Sequence, residues 1–299
     1  MESMLNGKFL MFGFAGMTAF ALCGQSLGAH PRGVQDAQPI QRVVTANTTE
    51  TYKSSSKVQQ SLDSPFGNIP INISTDETLT LKIGAVDAMG VGAVELTTTV
   101  DTLDGGDSQV TAGLTKKKPD PMTQTGTINK LGHLSLKAPQ TTDKMAEIFS
   151  GITGGLQSSL FIELPDHPVK VGDSWDIVIP KGEFTGPEDQ KITAKLTGDK
   201  TVEGKDAWTV DVSGTVNIVF DSASLGPPDP NATGMLAKFH ILAKGTTVLK
   251  GTGLVEKSTG KTLSLDATSD LKTNIELPDE GDLTAQGAGT LVTSLKLQK

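Results

Sequence analysis

The residues whose types and spacing point to chemistry are Asp166, His167 and Asp173, in the stretch Leu164-Pro-Asp-His-Pro-Val-Lys-Val-Gly-Asp-Ser-Trp175. Two carboxylates around an imidazole suit an acid/base cluster or a metal site. A hydrolase built on them needs a further nucleophile or ligand, and no other motif provides one. Gly24-Gln-Ser-Leu-Gly28 has the Gly-x-Ser-x-Gly form of a nucleophile elbow, but no strand precedes it and no helix follows it. Asp101-Thr-Leu-Asp-Gly-Gly-Asp107 is acidic enough for calcium, yet it lacks the alternating ligand spacing and reads as a hairpin turn. His133 and His240 have no second histidine nearby, so zinc has no local support. No catalytic residue, metal or cofactor is expected.

A structural account of the same block needs no chemistry. Pro165 and Pro168 fix φ, Val169 and Val171 form a short extended piece, and Gly172 supplies a sharp turn before Trp175 begins a strand. Asp173 can satisfy turn amides, and Trp175 can bury its ring at a sheet edge with its indole N–H paired.

The elements that would position these residues are mostly strands. Segments near Arg42 to Leu62, Ile69 to Ile83, Val91 to Leu103 and Asp107 to Leu114 are rich in Thr, Val, Ile and Leu. Val94, Leu96, Thr98 and Val100 share one face by alternation, as do Trp208, Val210, Val212, Val216, Ile218 and Phe220 farther on. Gly, Asp and Pro punctuate the pattern at Asp63-Ser-Pro65, Ala88-Met-Gly90, Glu203-Gly-Lys205 and Ser258-Thr-Gly260. Gly90 to Glu95 and Gly251 to Glu256 share a Gly-x-Gly-x-x-Glu pattern read as strand starts, a hint of internal duplication. Strand starts cannot offer phosphate a helix N-terminus. One helix is expected over 142–162, where Met145, Ile148, Ile152, Leu156 and Leu160 make an apolar stripe and a candidate ligand-facing surface. Gly151, Gly154 and Gly155 weaken it in isolation, so it must be held by packing.

Composition bounds the partners. The formal charge is -8 with four histidines, which disfavours nucleic acid because phosphate binding needs a basic face. The one basic run, Lys116-Lys-Lys118, precedes Pro119-Asp-Pro121 and reads as a solvated loop. Aromatics are 4% with the single tyrosine Tyr52, which argues against stacking platforms.

Phe9 to Leu22 is free of charge and follows Lys8. Fourteen helical residues reach about 21 Å against a bilayer core of about 30 Å, so a cleaved export signal is expected over 1–28 rather than a transmembrane span. Cleavage frames stand before Gly24 and before Ala29. Cys23 is the only cysteine and a possible lipidation site, although Phe20 and Leu22 depart from a lipobox. No intramolecular disulfide can form. A Pro-, Gln- and Gly-rich flexible leader is expected over 29–44, then an antiparallel β domain over 45–299. That domain divides into an N-terminal β half (45–138), the helix, the link 164–175 and a C-terminal β half (176–299), with one continuous sheet or two lobes left open.

The Pro-x-x-Pro-Val-x-Val-Gly-Asp-x-Trp block, carried by Pro165, Pro168, Val169, Val171, Gly172, Asp173 and Trp175, resembles that of secreted bacterial domain-of-unknown-function proteins, often lipoproteins. The resemblance extends over roughly Thr45 to Lys299. It implies distant similarity to periplasmic lipoprotein and lipid carriers: a mainly β fold, a large curved antiparallel sheet forming a half-barrel, with one helix packed on the concave face. It implies no catalytic residues. The functional expectation is an exported, non-enzymatic cell-envelope protein, periplasmic, secreted or lipid-anchored at the outer membrane, that binds a lipid or other apolar ligand. The alternatives are an envelope or extracellular protein–protein interaction module and, last, a hydrolase around Asp166, His167 and Asp173.

Overall fold

The computed structural model describes residues 36–65, 67–105, 119–137, 161–182, 185–225, 240–278 and 283–298. They form β1 (Thr48–Ser64), β2 (Gly67–Val86), β3 (Gly92–Asp104), β4 (Met122–Ile128), β5 (Leu134–Leu136), β6 (Ser174–Ile179), β7 (Gln190–Val202), β8 (Lys205–Asp221), β9 (Leu242–Glu256), β10 (Thr262–Leu277) and β11 (Leu283–Leu297). All eleven belong to one antiparallel sheet in the order β5-β4-β3-β2-β1-β11-β10-β9-β8-β7-β6. The two β halves are therefore one continuous sheet, curved and not closed on itself. The chain runs outward from the middle to one edge, crosses to the other edge, and returns to pair its last strand with its first.

Alternation explains the strands. In β1, Tyr52, Ser54, Val58, Gln60 and Leu62 are buried on one face while Lys53, Ser55 and Lys57 are exposed on the other. Trp208, Val210, Val212, Val216, Ile218 and Phe220 of β8 are all buried, as their period-two spacing predicts. The tight turns follow backbone preference. Glu203 (φ 52°) and Gly204 (φ 80°) join the paired residues Val202 and Lys205, the geometry of a hairpin turn with two left-handed residues. At the β2–β3 turn, Asp87 Oδ1 accepts from the amides of Met89 and Val91 at 2.9 Å each.

The expected helix over 142–162 lies outside the described residues up to 160; Phe161 and Ile162 are irregular, and the helical turn among the described residues is the short 3-10 piece Ser222–Leu225. The expected strand over Asp107 to Leu114 also falls outside the described residues. One reading is corrected. Gly251 to Glu256 does not open a strand: it is the end of β9, paired to β8 and β10 on both sides, whereas Gly92 begins β3. The two Gly-x-Gly-x-x-Glu segments are thus unlike in structure, and the similarity that hinted at duplication is local composition.

Residues 36–44, the end of the expected leader, are docked. Gln38 exchanges backbone bonds with Val169, Arg42 N donates to Lys130 O and Val43 N to Thr259 O. Ile40 and Arg42 are buried there, one apolar and one charged side chain that the polar composition around them conceals.

The sheet is tightest at two glycines of β11, Gly287 and Gly289, which stand between β1 and β10. A Cβ on Gly289 would stand 2.3 Å from the backbone oxygen of Gln59, and one on Gly287 would meet Leu62 and Gln60 side chains at 2.3 and 2.6 Å. Backbone cannot step aside as a side chain can. Gly289→Ala is therefore expected to lower stability by about 1–3 kcal/mol, by overpacking, and more than Gly287→Ala does, read as the shift in urea midpoint at unchanged slope.

Candidate functional site

The inner face of the sheet carries two apolar clusters with polar residues between them. The first gathers Tyr52, Leu79, Leu81, Ile83, Leu96, Leu265 and Leu295 with Trp175, Ile177, Val210 and Val212 from the far edge. The second gathers Val58, Leu62, Ile71, Ile73, Leu271, Ile275 and Leu291 with Ile218 and Phe220. Register places the rows between them. One row runs Val100, Glu77, Ser54 on β3, β2 and β1; the next runs Thr75, Ser56, Thr293 on β2, β1 and β11. Thr247 and Ser269 continue the polar belt on β9 and β10, and Gln60 reaches over Gly287 to donate to Thr273 Oγ1 at 2.6 Å.

Several atoms of this belt are buried without a hydrogen-bond partner among the described residues: Thr293 Oγ1, Thr247 Oγ1 and Gln60 Oε1. Glu77 has no hydrogen-bond or ion-pair partner among the described residues. Burial, and then the charge of Asp101, push its carboxyl above the ordinary range. Sequence reasoning missed Glu77, although the signal was present: it stands in phase with Ile71, Ile73, Leu79 and Leu81, so alternation alone puts it on the apolar face.

The end of the groove at the first cluster is closed by two irregular segments, 36–44 and 161–173. Phe161 meets Tyr52 edge to face at 5.0 Å, and Ile162 lies against β9 where Gly253 leaves room: a Cβ there would stand 2.2 Å from Ile162 Cδ1. Beneath them sits a buried charge network. Arg42 Nη2 donates to Glu50 Oε2, Tyr52 donates its hydroxyl to the same oxygen at 2.8 Å, and Lys261 Nζ stands 3.2 Å from Oε1. Burial alone would raise the Glu50 carboxyl; Arg42, the Tyr52 hydrogen bond and Lys261 outweigh it and hold the group below its usual range. The Tyr52 phenol is pushed far up by burial and by the Glu50 charge, so it remains a donor.

The block 164–175 is the clamp at the open edges. Leu164 N donates to Leu131 O beside β5, while Trp175 of β6 donates Nε1–H to Glu163 O at 2.8 Å. His133 Nδ1 stands 3.0 Å from Glu163 Oε2, and that hydrogen bond, opposed by partial burial, raises the imidazole. Pro165 and Val169 are buried, Val171 packs against the first cluster, and Pro168 is exposed. Gly172 takes φ 104° and donates to Leu196 O, and Asp173 Oδ2 accepts from the amide of Lys170 at 3.0 Å. Asp166 and His167 pair with each other at 2.8 Å on the surface, with side chains 82% and 56% exposed. Asp173 is spent on the turn, so the three residues do not converge. Among the described residues no group of three His, Cys, Asp or Glu side chains is placed to hold a metal. Met145, Ile148, Ile152, Leu156, Leu160 and Cys23 lie outside the described residues.

Two outcomes follow from the buried charge network and from the indole bond at the edge. Glu50→Ala strands Arg42 in the interior and is expected to cost about 3–5 kcal/mol. Because the folded Glu50 pKa lies below its unfolded value, its contribution is complete above the unfolded pKa and is lost as pH falls through the folded one, so chemical-denaturation curves of wild type and Glu50→Ala converge toward acid pH. Trp175→Phe keeps a six-membered aromatic ring but removes the bond to Glu163 and part of a buried side chain, for a loss of at least about 1 kcal/mol in the same assay.

No protein-family model and no curated protein sequence matches this chain. Among solved structures it is similar to lipovitellin, in a structure described by its lipid–protein interactions, at 11% identity and a TM-score of 0.38 over 88% of this chain and 26% of that one. It spans about a quarter of the lipovitellin chain. It is also similar to a DUF1329 family protein from Desulfovibrio piger, at 11% identity and a TM-score of 0.15 over 83% of this chain and 84% of the other. At these scores neither likeness bears on function, and what the concave face can hold is decided by its own side chains.

Proposed function

We propose that this chain is an exported, non-enzymatic envelope protein whose open β half-barrel shelters an apolar or amphipathic ligand such as a lipid or acyl chain. The observation that carries the reading is the make-up of the inner face, two apolar clusters separated by a polar belt with orphaned oxygens. A face with only packing to do gains nothing from unpaired hydroxyls, each of which costs about 1–3 kcal/mol when buried. A chain-like molecule with a polar group matches the arrangement, its hydrocarbon against the clusters and its polar group at the belt. The way in is on the side of β1 to β3, where Ser56, Thr75, Glu77 and Val100 are half-exposed while Val58 and Leu79 on either side are buried.

Non-enzymatic action is supported by the use of Asp173 as a turn acceptor and by the surface position of Asp166 and His167. Export is supported by the uncharged stretch Phe9 to Leu22 and the small residues after it.

Delipidated protein titrated with a fluorescent hexadecanoic acid is expected to show saturable binding, and native mass spectrometry of protein taken from its own envelope a defined lipid mass. Absence of saturable binding of this acid and of an amine and an alcohol of the same chain length, in a sample that still unfolds cooperatively, overturns the carrier reading. Mass analysis of the same envelope sample is expected to find the chain beginning at Cys23, with an acyl adduct, or at Gly24 or Ala29 without one; an intact residue 1 overturns export by signal cleavage.

A further inference from the structure

We infer that the half-barrel selects its ligand by head group, with Glu77 as the acceptor for a protonated amine carried by a long hydrocarbon chain. The inference rests on the ligand-sheltering reading above and names the class of ligand.

Glu77 stands on the inner face of β2, opposite Ser54 of β1 and Val100 of β3. Ile73, four residues before it, belongs to one apolar cluster, and Leu79, two residues after it, to the other. Those two side chains are six residues apart, about 20 Å of strand, so the belt is a separate polar stop between two greasy zones. A ligand lying along β2 meets hydrocarbon, then Glu77, then hydrocarbon.

Among the described residues no counter-charge pairs with it. The lysines of β1 and β2 are on the opposite face: Lys53 pairs with Asp101 and Thr78, Lys82 with Glu95, and Lys57 is exposed. Arg42 and Lys261 are engaged with Glu50 at the closed end. An unpaired carboxylate on a half-buried face is costly, and the raised pKa of Glu77 reports that cost.

An independent observation points to the same ligand. Thr293 is 3% exposed with its hydroxyl unpartnered among the described residues, and it lies opposite Ser56, one row from the Ser54–Glu77 pair. An ammonium has three donors and no acceptor. Glu77, Thr293 and the serine hydroxyls offer it acceptors, and the Glu77 carboxylate pairs with its positive charge, which an alcohol or a fatty acid does not carry.

Three probes that share a sixteen-carbon chain test this: hexadecylamine, 1-hexadecanol and hexadecanoic acid, each displacing a fluorescent reporter at neutral pH. Hexadecylamine is expected to bind at least about ten-fold more tightly than the alcohol. Glu77→Gln, which is isosteric and removes the charge, is expected to lose the preference for the amine over the alcohol. Equal binding of amine and alcohol to the wild type overturns the inference while leaving the half-barrel reading standing, and so does an undiminished amine preference in Glu77→Gln. Binding of none of the three overturns both. Should the variant fail to fold, the wild-type ratio of amine to alcohol decides.

Discussion

The pairing of β1 with β11 is the interaction on which everything else depends. It joins strands at opposite ends of the folded region in a register running from Tyr52 opposite Leu297 to Asp63 opposite Gln286. Because the first and last strands meet in the middle, the strands nearest the centre of the sequence become the edges, and β5 and β6 end up as far apart in the sheet as strands can be. Curvature then brings those edges toward each other. The glycines of β11 leave room for its neighbours to approach, and Gln60 and Thr273 touch over Gly287.

Held only by one seam and by curvature, two free edges would be a liability. The link 161–173 answers this by bonding to both sides, to Leu131 near β5 and to Trp175 of β6, while residues 36–44 lie beside it through the Gln38–Val169 bridge. The buried Arg42–Glu50–Tyr52 network fastens the same end. Replacing such a network with apolar residues often costs a protein nothing, whereas breaking it costs much. Its effect here is to fix where the polypeptide before β1 crosses the groove.

Much of the sheet was legible in the sequence, and for a local reason. Period-two patterns such as Val94, Leu96, Thr98 and Trp208 through Phe220 reflect only which face is buried, so they survive without knowledge of neighbours. That the first strand pairs with the last was not legible, since antiparallel pairing of β1 with β11 is set by contacts between distant residues. The same limit misled the Gly-x-Gly-x-x-Glu comparison: six residues of composition cannot tell the start of β3 from the end of β9. The structural role of Asp173 and Trp175 was readable, because turn amides and an indole N–H demand partners nearby. Glu50 and Glu77 were not singled out, yet both stand in phase with apolar residues of their own strands. An acidic residue in step with a buried row was the readable sign of both.

The placement of β11 also decides what damage at the carboxyl end would do. In most sheets the loss of a terminal strand trims an edge and leaves a smaller sheet. Here it would remove the central stave and leave two five-stranded fragments, each with a newly bared strand, β1 or β10, rich in unpaired amides and carbonyls. Cleavage after β10 would thus turn a self-contained fold into a pair of sticky half-sheets, and quality control of this protein amounts to whether its last fifteen-residue strand has found its first.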